Sequence, residues 1–303
     1  MVMYLDEARV RAALDWESLI TAMKGALAEF SRGRVLQPVR NMLTIEEGKR
    51  YLGIMPAAYE QAMGLKVVSF YPGNAGTGIP THMAMILLFR PETGEPLAVM
   101  DGRLITEMRT AAVSAAATEM LAAPESHVLA LLGSGVQAKA HLEALTRIRK
   151  FDEVRVWSRK PEHAKRFAEE HSVTAMEAEA AVRGADVIVT ATSAVEPILR
   201  GRWLKPGAHV NAVGSPRPTW RELDDDAMAN VLVVDSREAV LKESGDVILS
   251  KAPIHAEIGE IFAGLKEAPT TETTVFKSVG IAVEDLAAAQ LVYECCTVAA
   301  RHS

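Results

Sequence analysis

The chain has 303 residues, 49% of them hydrophobic and 24% charged, an ordinary globular composition with length enough for two domains. With 33 Lys and Arg against 39 Asp and Glu the formal net charge is −6, so no bulk attraction to nucleic acid or anionic lipid is expected. Cys295 and Cys296 are adjacent and suit no disulfide framework, no apolar run reaches the ~18 residues of a membrane span, and the N-terminal stretch lacks an apolar signal core, so a cytoplasmic protein without membrane contact is expected.

In chain order, Trp16, Leu19, Ile20, Met23, Leu27 and Phe30 recur at helical spacing, with Asp15 as N-cap and Gly33 as stop. Extended runs follow at 35–45, 51–55, 64–71, 81–89 and 95–101, the last two joined through Thr93-Gly94 as a hairpin. A helix is predicted from near Asp101 to Ala123, where Pro124 ends it; its middle, RTAAVSAAATEMLAA, is made of small residues that let another backbone come close. Beyond Ser126 the pattern alternates strand and helix. HVLALLG, VRVWS (154–158), ADVIVTAT (185–192), AHVNAVG (208–214) and NVLVVD (230–235) are continuous apolar runs, as in strands buried on both faces of a parallel sheet. The fold class is therefore α/β, a Rossmann-like doubly wound parallel sheet preceded by a strand-rich region. The last segment, VGIAVEDLAAAQLVYECCTVAA, is helical with Ile281, Val283, Leu286, Ala289, Val292, Tyr293 and Cys296 on one stripe; its pattern does not say which domain it joins.

Gly133-Ser134-Gly135-Val136-Gln137-Ala138 reads GxGxxA between a strand and a helix, the context of a dinucleotide fingerprint. Gly133 permits the tight turn, Gly135 leaves room for a pyrophosphate, Ala138 permits helix–strand contact, and the N–H groups from Val136 and Gln137 onward face the anion. The next strand ends in Ser158-Arg159-Lys160, where an NAD enzyme would carry a carboxylate for the ribose hydroxyl. With no carboxylate to repel a 2′-phosphate and two cations to meet it, NADPH is expected over NADH. The 8 histidines are scattered and no metal site is expected. Asp224-Asp225-Asp226 reads as a solvent-facing helix start, and no GxSxG motif points to a hydrolase.

The stretches QPVRNM, YLGIMPA, LKVVSFYPGN, PTHMAMILLF, TGEPLAVMDGRLITEMRTAAVSA, LLGSGVQAKAH, ADVIVTAT, LKPGAHVNAVGS, RPTWRELDD, VVDSREAVLKESGDVI and TVFKSVGIAVEDLAAAQLVYE resemble, in order and spacing, the ornithine cyclodeaminase/mu-crystallin family over nearly the whole chain. Within it the mu-crystallin branch is the nearest match. The resemblance implies a Rossmann-like NAD(P) domain at 124–278 and a discontinuous α+β substrate-binding and dimerisation domain at 1–123 plus 279–303, so the last helix returns to the first domain. It implies a homodimer, a small imino or amino acid substrate, and hydride exchange between a nicotinamide and an α-carbon.

Residue by residue, the resemblance implies that Arg40, Lys66 and Arg109 bind the substrate carboxylate, together with Val279. It places Thr81, Arg109, Thr192, Val213, Gly214 and Ser278 at the cofactor. The three cations sit in apolar settings: Arg40 after Pro38-Val39, Lys66 between Leu65 and Val67-Val68, Arg109 on a helix face with Ile105, Ala112 and Ala116. A cation so placed is costly unless an anion meets it, and a substrate carboxylate would supply one. Between two arginines Lys66 should have a lowered pKa and serve in proton transfer; Lys66, Arg109 and His82 are the candidate catalytic residues. Ornithine cyclodeaminases carry an aspartate where this chain has Pro216, which cannot take a proton. The expected activity is NADPH-dependent reduction of cyclic ketimine carboxylates, 1-piperideine-2-carboxylate or 1-pyrroline-2-carboxylate. Alternatives are an alanine dehydrogenase-type enzyme, an ornithine cyclodeaminase, or a non-catalytic crystallin-like protein that binds NADPH and a ligand.

Overall fold

The computed structural model describes residues 2–269 and 271–302. The chain begins with β1 (Met3–Leu5), α1 (Glu7–Ala13) and α2 (Trp16–Ser31), followed by β2 (Asn41–Glu46), β3 (Arg50–Tyr59), β4 (Ala62–Phe70), β5 (His82–Phe89), β6 (Pro96–Asp101) and α3 (Arg103–Leu121). Next come β7 (Val128–Leu132), α4 (Val136–Ile148), β8 (Glu153–Trp157), α5 (Pro161–His171), β9 (Thr174–Ala175), α6 (Ala178–Val182), β10 (Val187–Thr190), β11 (His209–Ala212), α7 (Asp225–Met228) and β12 (Val231–Val234). The remainder is α8 (Arg237–Glu243), α9 (Gly245–Ser250), β13 (Ile254–Glu257), α10 (Ile258–Phe262), β14 (Thr274–Lys277) and α11 (Ala282–His302). The residues form two compact units, one running to Arg109 and resuming at Ile281, the other spanning Thr110–Gly280.

The first unit holds a six-stranded sheet in the order β1-β6-β5-β4-β3-β2, antiparallel except where β1 joins β6. Strand alternation gives the sheet two faces. Met55, Lys66, Ile86, Met100 and Leu5 pair across five strands in one buried row. The helices α2 and α11 pack together, and α11 lies on β3, β4 and β5. In α2, Asp15 accepts from Ser18 N at 2.9 Å, and the buried stripe Leu19, Met23 and Leu27 contributes about 1.5–3 kcal/mol per side chain. Gly33 ends the helix at φ +72°. Ile281, just ahead of α11, and Val283, Leu286, Ala289 and Val292 on it are buried as the stripe predicts, whereas Tyr293 and Cys296 are only half-buried.

Two differences from the sequence expectation have local causes. β1 and α1 are not predicted, because they are short and bury only Leu5 and Val10. The run 35–45 forms a strand only from Asn41, while β3 extends past 55 to Tyr59. Pro56 is tolerated in β3 because it lies beyond the last β2 pair, Asn41↔Ile54, where no ladder hydrogen bond needs its missing N–H.

The second unit is an eight-stranded sheet, parallel throughout, in the order β13-β12-β14-β11-β10-β7-β8-β9. The chain moves from β7 outward to β9, then returns to β10 on the other side of β7, so the switch point lies between β7 and β10. The second half of α3 belongs here: Asn211 Nδ2 donates to Thr118 Oγ1 at 2.9 Å, and His141 Nε2 lies 2.9 Å from Ser114 Oγ. Its buried alanines (Ala111, Ala112, Ala115, Ala116 and Ala117) permit close packing. The boundary therefore falls inside α3, ahead of Ala123. β9, β13 and β14 are absent from the sequence expectation. β14 is central and wholly buried, but it is only 4 residues long and its TVFK sequence carries a lysine.

Candidate functional site

In the first unit, the buried face of the sheet presents a cation where its neighbours in the row are apolar. Lys66 is 2% exposed, and its Nζ lies 2.6 Å from Asp285 Oδ2 and 3.4 Å from Thr106 Oγ1. Arg109, 5% exposed, donates from Nε to Asp285 Oδ1 at 2.9 Å and from Nη1 to Glu284 Oε2. Glu284 and Asp285 are fully buried in the first turn of α11, where the helix dipole favours carboxylates. This corrects one expectation. The anion that meets Lys66 and Arg109 is already part of the protein, so their burial does not by itself require a substrate carboxylate.

The protonation states follow from this cluster. Burial lowers the Lys66 pKa to about 8, with the charges of Arg109 and Arg40 adding to the fall and Asp285 opposing it. The lowering is the one expected, but burial rather than the arginines is its leading cause. Burial pushes the Asp285 carboxyl up, and Arg109 and Lys66 outweigh it, holding the group below the usual carboxylate range. Two buried cations thus face two buried carboxylates, and the half-buried Arg40 adds a further positive charge that reaches Lys66. His82 is exposed at the start of β5; its ring lies 4.3 Å from that of Phe70 and its Nδ1 3.4 Å from Thr81 Oγ1.

In the second unit, the glycine turn follows β7 at the switch point, where ligands of such sheets bind. Gly133 has φ +129°, and a Cβ there would stand 2.6 Å from Ala191 O, so only glycine fits. Gly135 caps α4 with no side chain bonded to the helix start, and a Cβ on it would meet nothing within 4 Å. The turn therefore offers open space in front of the N–H groups of Val136 and Gln137; Val136 is exposed, and Gln137 Oε1 is buried without a hydrogen-bond partner. These are the features a pyrophosphate cradle needs, and the residues present fit a dinucleotide. Ser158 is half-buried and Arg159 and Lys160 exposed after β8, with no carboxylate between the strand and α5.

Thr192 follows β10, and its N and Oγ1 both donate to Glu222 Oε1 at 2.7 Å. Val213 and Gly214 follow β11. Ser278 Oγ and the backbone N–H groups of Val279 and Gly280 all donate to Asp235 Oδ2, at 2.9, 2.7 and 2.7 Å. Glu222, Asp235, Glu284 and Asp285 are the site-forming residues that the sequence pattern marks only as parts of strands and helices. Glu284 and Asp285 carry one signal, a charge inside the otherwise apolar stretch GIAVEDLAAA, and Asp235 ends the apolar run VLVV; Glu222, in TWRELDD, carries none.

A profile of the ornithine cyclodeaminase/mu-crystallin family matches residues 2–299. The mouse ketimine reductase mu-crystallin is 54% identical over 285 residues, covering 91% of each chain. Among solved structures, the Thermococcus litoralis Δ1-pyrroline-2-carboxylate reductase in complex with NADH and L-proline has a TM-score of 0.93 at 36% identity, covering 99% of this chain and 98% of that one. An archaeal alanine dehydrogenase dimer with bound NAD has a TM-score of 0.92 at 34% identity, covering 99% and 97%.

Proposed function

The chain belongs to the ornithine cyclodeaminase/mu-crystallin family, and from that premise we propose that it is an NADPH-dependent reductase of cyclic ketimine carboxylates such as 1-piperideine-2-carboxylate and 1-pyrroline-2-carboxylate. The observation that carries this function is the buried Lys66–Arg109–Asp285–Glu284 cluster with Arg40 beside it. The cluster itself is charge-balanced; the substrate carboxylate is assigned to Arg109 and Arg40, whose charges both reach Lys66, and the Lys66 ammonium to the imine nitrogen. The ammonium of Lys66 has three N–H groups. Asp285 and Thr106 face two of them, which leaves one for the substrate. Because its pKa is about 8, Lys66 is protonated at neutral pH and still acidic enough to release a proton toward the imine nitrogen. Asp285 then stabilises the cation again when the proton returns. The apolar row around Lys66 keeps water away from a bond that water would hydrolyse.

Gly133, Gly135, Val136 and Gln137 would hold the dinucleotide phosphates; cofactor contact for Thr81, Arg109, Thr192, Val213, Gly214 and Ser278, and substrate contact for Val279, are the roles that the family resemblance assigns them. When bound, the reduced nicotinamide supplies the hydride for the imine carbon. Arg159 and Lys160 favour NADPH, although the two solved relatives carry NADH and NAD. His82, exposed and in tilted ring contact with Phe70, is a weaker acid candidate than Lys66. Pro216 offers no base for ornithine cyclisation. The first unit serves the substrate and the second the cofactor. A homodimer is supported by the uncovered face of the six-stranded sheet, where Leu43 (60% exposed), Ile54 (41%) and Met85 (43%) form an apolar surface. Among the described residues no helix is long and apolar enough to cross a membrane.

The test is dinucleotide oxidation with 1-piperideine-2-carboxylate, with pyruvate plus ammonium, and with no imine, each run with NADPH and NADH. Fast turnover of the cyclic imine with NADPH is the expected result. Preferential turnover of pyruvate with NADH would move the protein to alanine dehydrogenase chemistry, and dinucleotide binding without turnover would make it a binding protein.

A further inference from the structure

One buried charged network in the second unit has no part in the chemistry above. Glu222 is fully buried and four groups meet its two oxygens. Thr192 N and Thr192 Oγ1 donate to Oε1, each at 2.7 Å; Thr190 Oγ1 and Gly214 N donate to Oε2, at 2.8 and 2.9 Å. The two backbone N–H groups can only donate and each meets a different oxygen, so both oxygens must accept; burial pulls the Glu222 pKa upward, and the bonds from the Thr192 and Thr190 side chains oppose it. The Gly214 peptide is held from its other end as well. Lys277 Nζ donates to Gly214 O at 2.8 Å and pairs with Asp246 Oδ2 at 2.9 Å, while Asp246 Oδ1 accepts from Glu222 N at 2.8 Å.

The contact between the two loop ends is as close as backbone allows: a Cβ on Gly214 would collide with Thr192 N, Thr192 O and the Glu222 carboxylate. Ser215, next in the chain, has φ +49°, a left-handed conformation that a non-glycine residue keeps only when its surroundings hold it, and its N–H donates to Thr192 O at 2.9 Å. The loops after β10 and β11 are thus locked to each other through one side chain that is itself out of reach of any ligand.

We propose that Glu222 is a positioning residue for the dinucleotide, fixing Thr192 and Gly214 in the places from which they contact it; this rests on the assignment of those two residues to the cofactor made above. Removing the charge while keeping the shape exposes the role. In Glu222→Gln the amide must present its NH2 either to Thr192 N–H or to Gly214 N–H, and two donors cannot pair. Thr190→Val is the milder variant: Thr190 is fully buried, so it removes one donor from Glu222 without touching a bound ligand.

The experiment is fluorescence titration of NADPH into the wild-type protein and both variants, with melting temperatures measured with and without NADPH. Glu222→Gln is expected to raise the Kd about 10-fold, equivalent to about 1.4 kcal/mol, and to lose much of the melting-temperature gain on adding NADPH. Thr190→Val is expected to shift both in the same direction by a smaller factor, about 2–4-fold. Folded variants that melt lower but keep the wild-type Kd would overturn the proposal, because a merely structural brace lowers stability and leaves binding alone. Should Glu222→Gln not fold, an unchanged Kd in Thr190→Val decides against it. If the wild type itself binds neither NADPH nor NADH, the cofactor assignment fails and the proposal fails with it, an outcome distinct from wild-type binding with indifferent variants.

Discussion

Replacing Asp285 by Asn removes one charge from the buried cluster and nearly nothing from its volume. Asp285 faces both Lys66 Nζ, at 2.6 Å, and Arg109 Nε, at 2.9 Å. Arg109 keeps Glu284, but Lys66 loses its paired anion. An opposite charge at such range shifts a pKa by about 1–3 units. Lys66, at about 8 in the wild type, therefore falls to roughly 5–7 in Asp285→Asn. At neutral pH the protonated fraction drops from about nine-tenths to one-half or far less, so kcat/KM falls about 2- to 100-fold there and recovers on acidification. The assay is the pH profile of kcat/KM for the cyclic imine over about pH 5–9 in both proteins. The wild-type profile should fall off near pH 8 as Lys66 loses its proton, and the variant's falling limb should move to lower pH. A variant whose limb stays in place, or whose loss is equal at every pH, would refute the proposed link between Asp285 and the Lys66 proton.

Lys66 also makes stability pH-dependent. Its folded pKa of about 8 lies below the ordinary 10.5, so between those values the unfolded chain binds more protons and stability rises with pH. Relative to Lys66→Met, the wild type should gain about 3 kcal/mol in denaturant unfolding across that window; a flat difference would contradict the depressed pKa. Gly133→Ala forces a Cβ against Ala191 O at φ +129° and should weaken NADPH binding at least ~10-fold by titration, whereas Gly135→Ala, in open space, should fold with wild-type stability. Met85→Glu on the open sheet face should convert the proposed dimer to monomers in analytical ultracentrifugation; a wild-type chain that is monomeric would contradict the proposed interface.

The fold was legible where a period is long and its cause local. The α2 stripe capped by Asp15 and stopped by Gly33, and the apolar runs of β7, β8, β10, β11 and β12, show directly in the sequence because burial on one or both faces dictates them. β14 does not, because its four residues owe their strand to neighbours β11 and β12, which lie far away in the chain. Lys66 and Arg109 stand out as cations in apolar surroundings. Asp285, which faces them from some 200 residues downstream of Lys66, does not, because its partners are fixed only when α11 settles on β4. The position of Glu222 is hidden for the same reason: its four donors come from the ends of two strands and from no local pattern.

The central claim is that a buried cation cluster grips the carboxylate of a cyclic imine while the C=N bond is reduced. It is tested most directly by comparing kcat/KM with NADPH for 1-piperideine-2-carboxylate and for the same ring without its carboxylate. Two charge-assisted hydrogen bonds at about 1.5–3 kcal/mol each predict a preference of roughly 10²–10⁴ for the carboxylate. Equal turnover of the two rings would contradict the account, because Arg109 and Arg40 would then have no part in holding the substrate carboxylate.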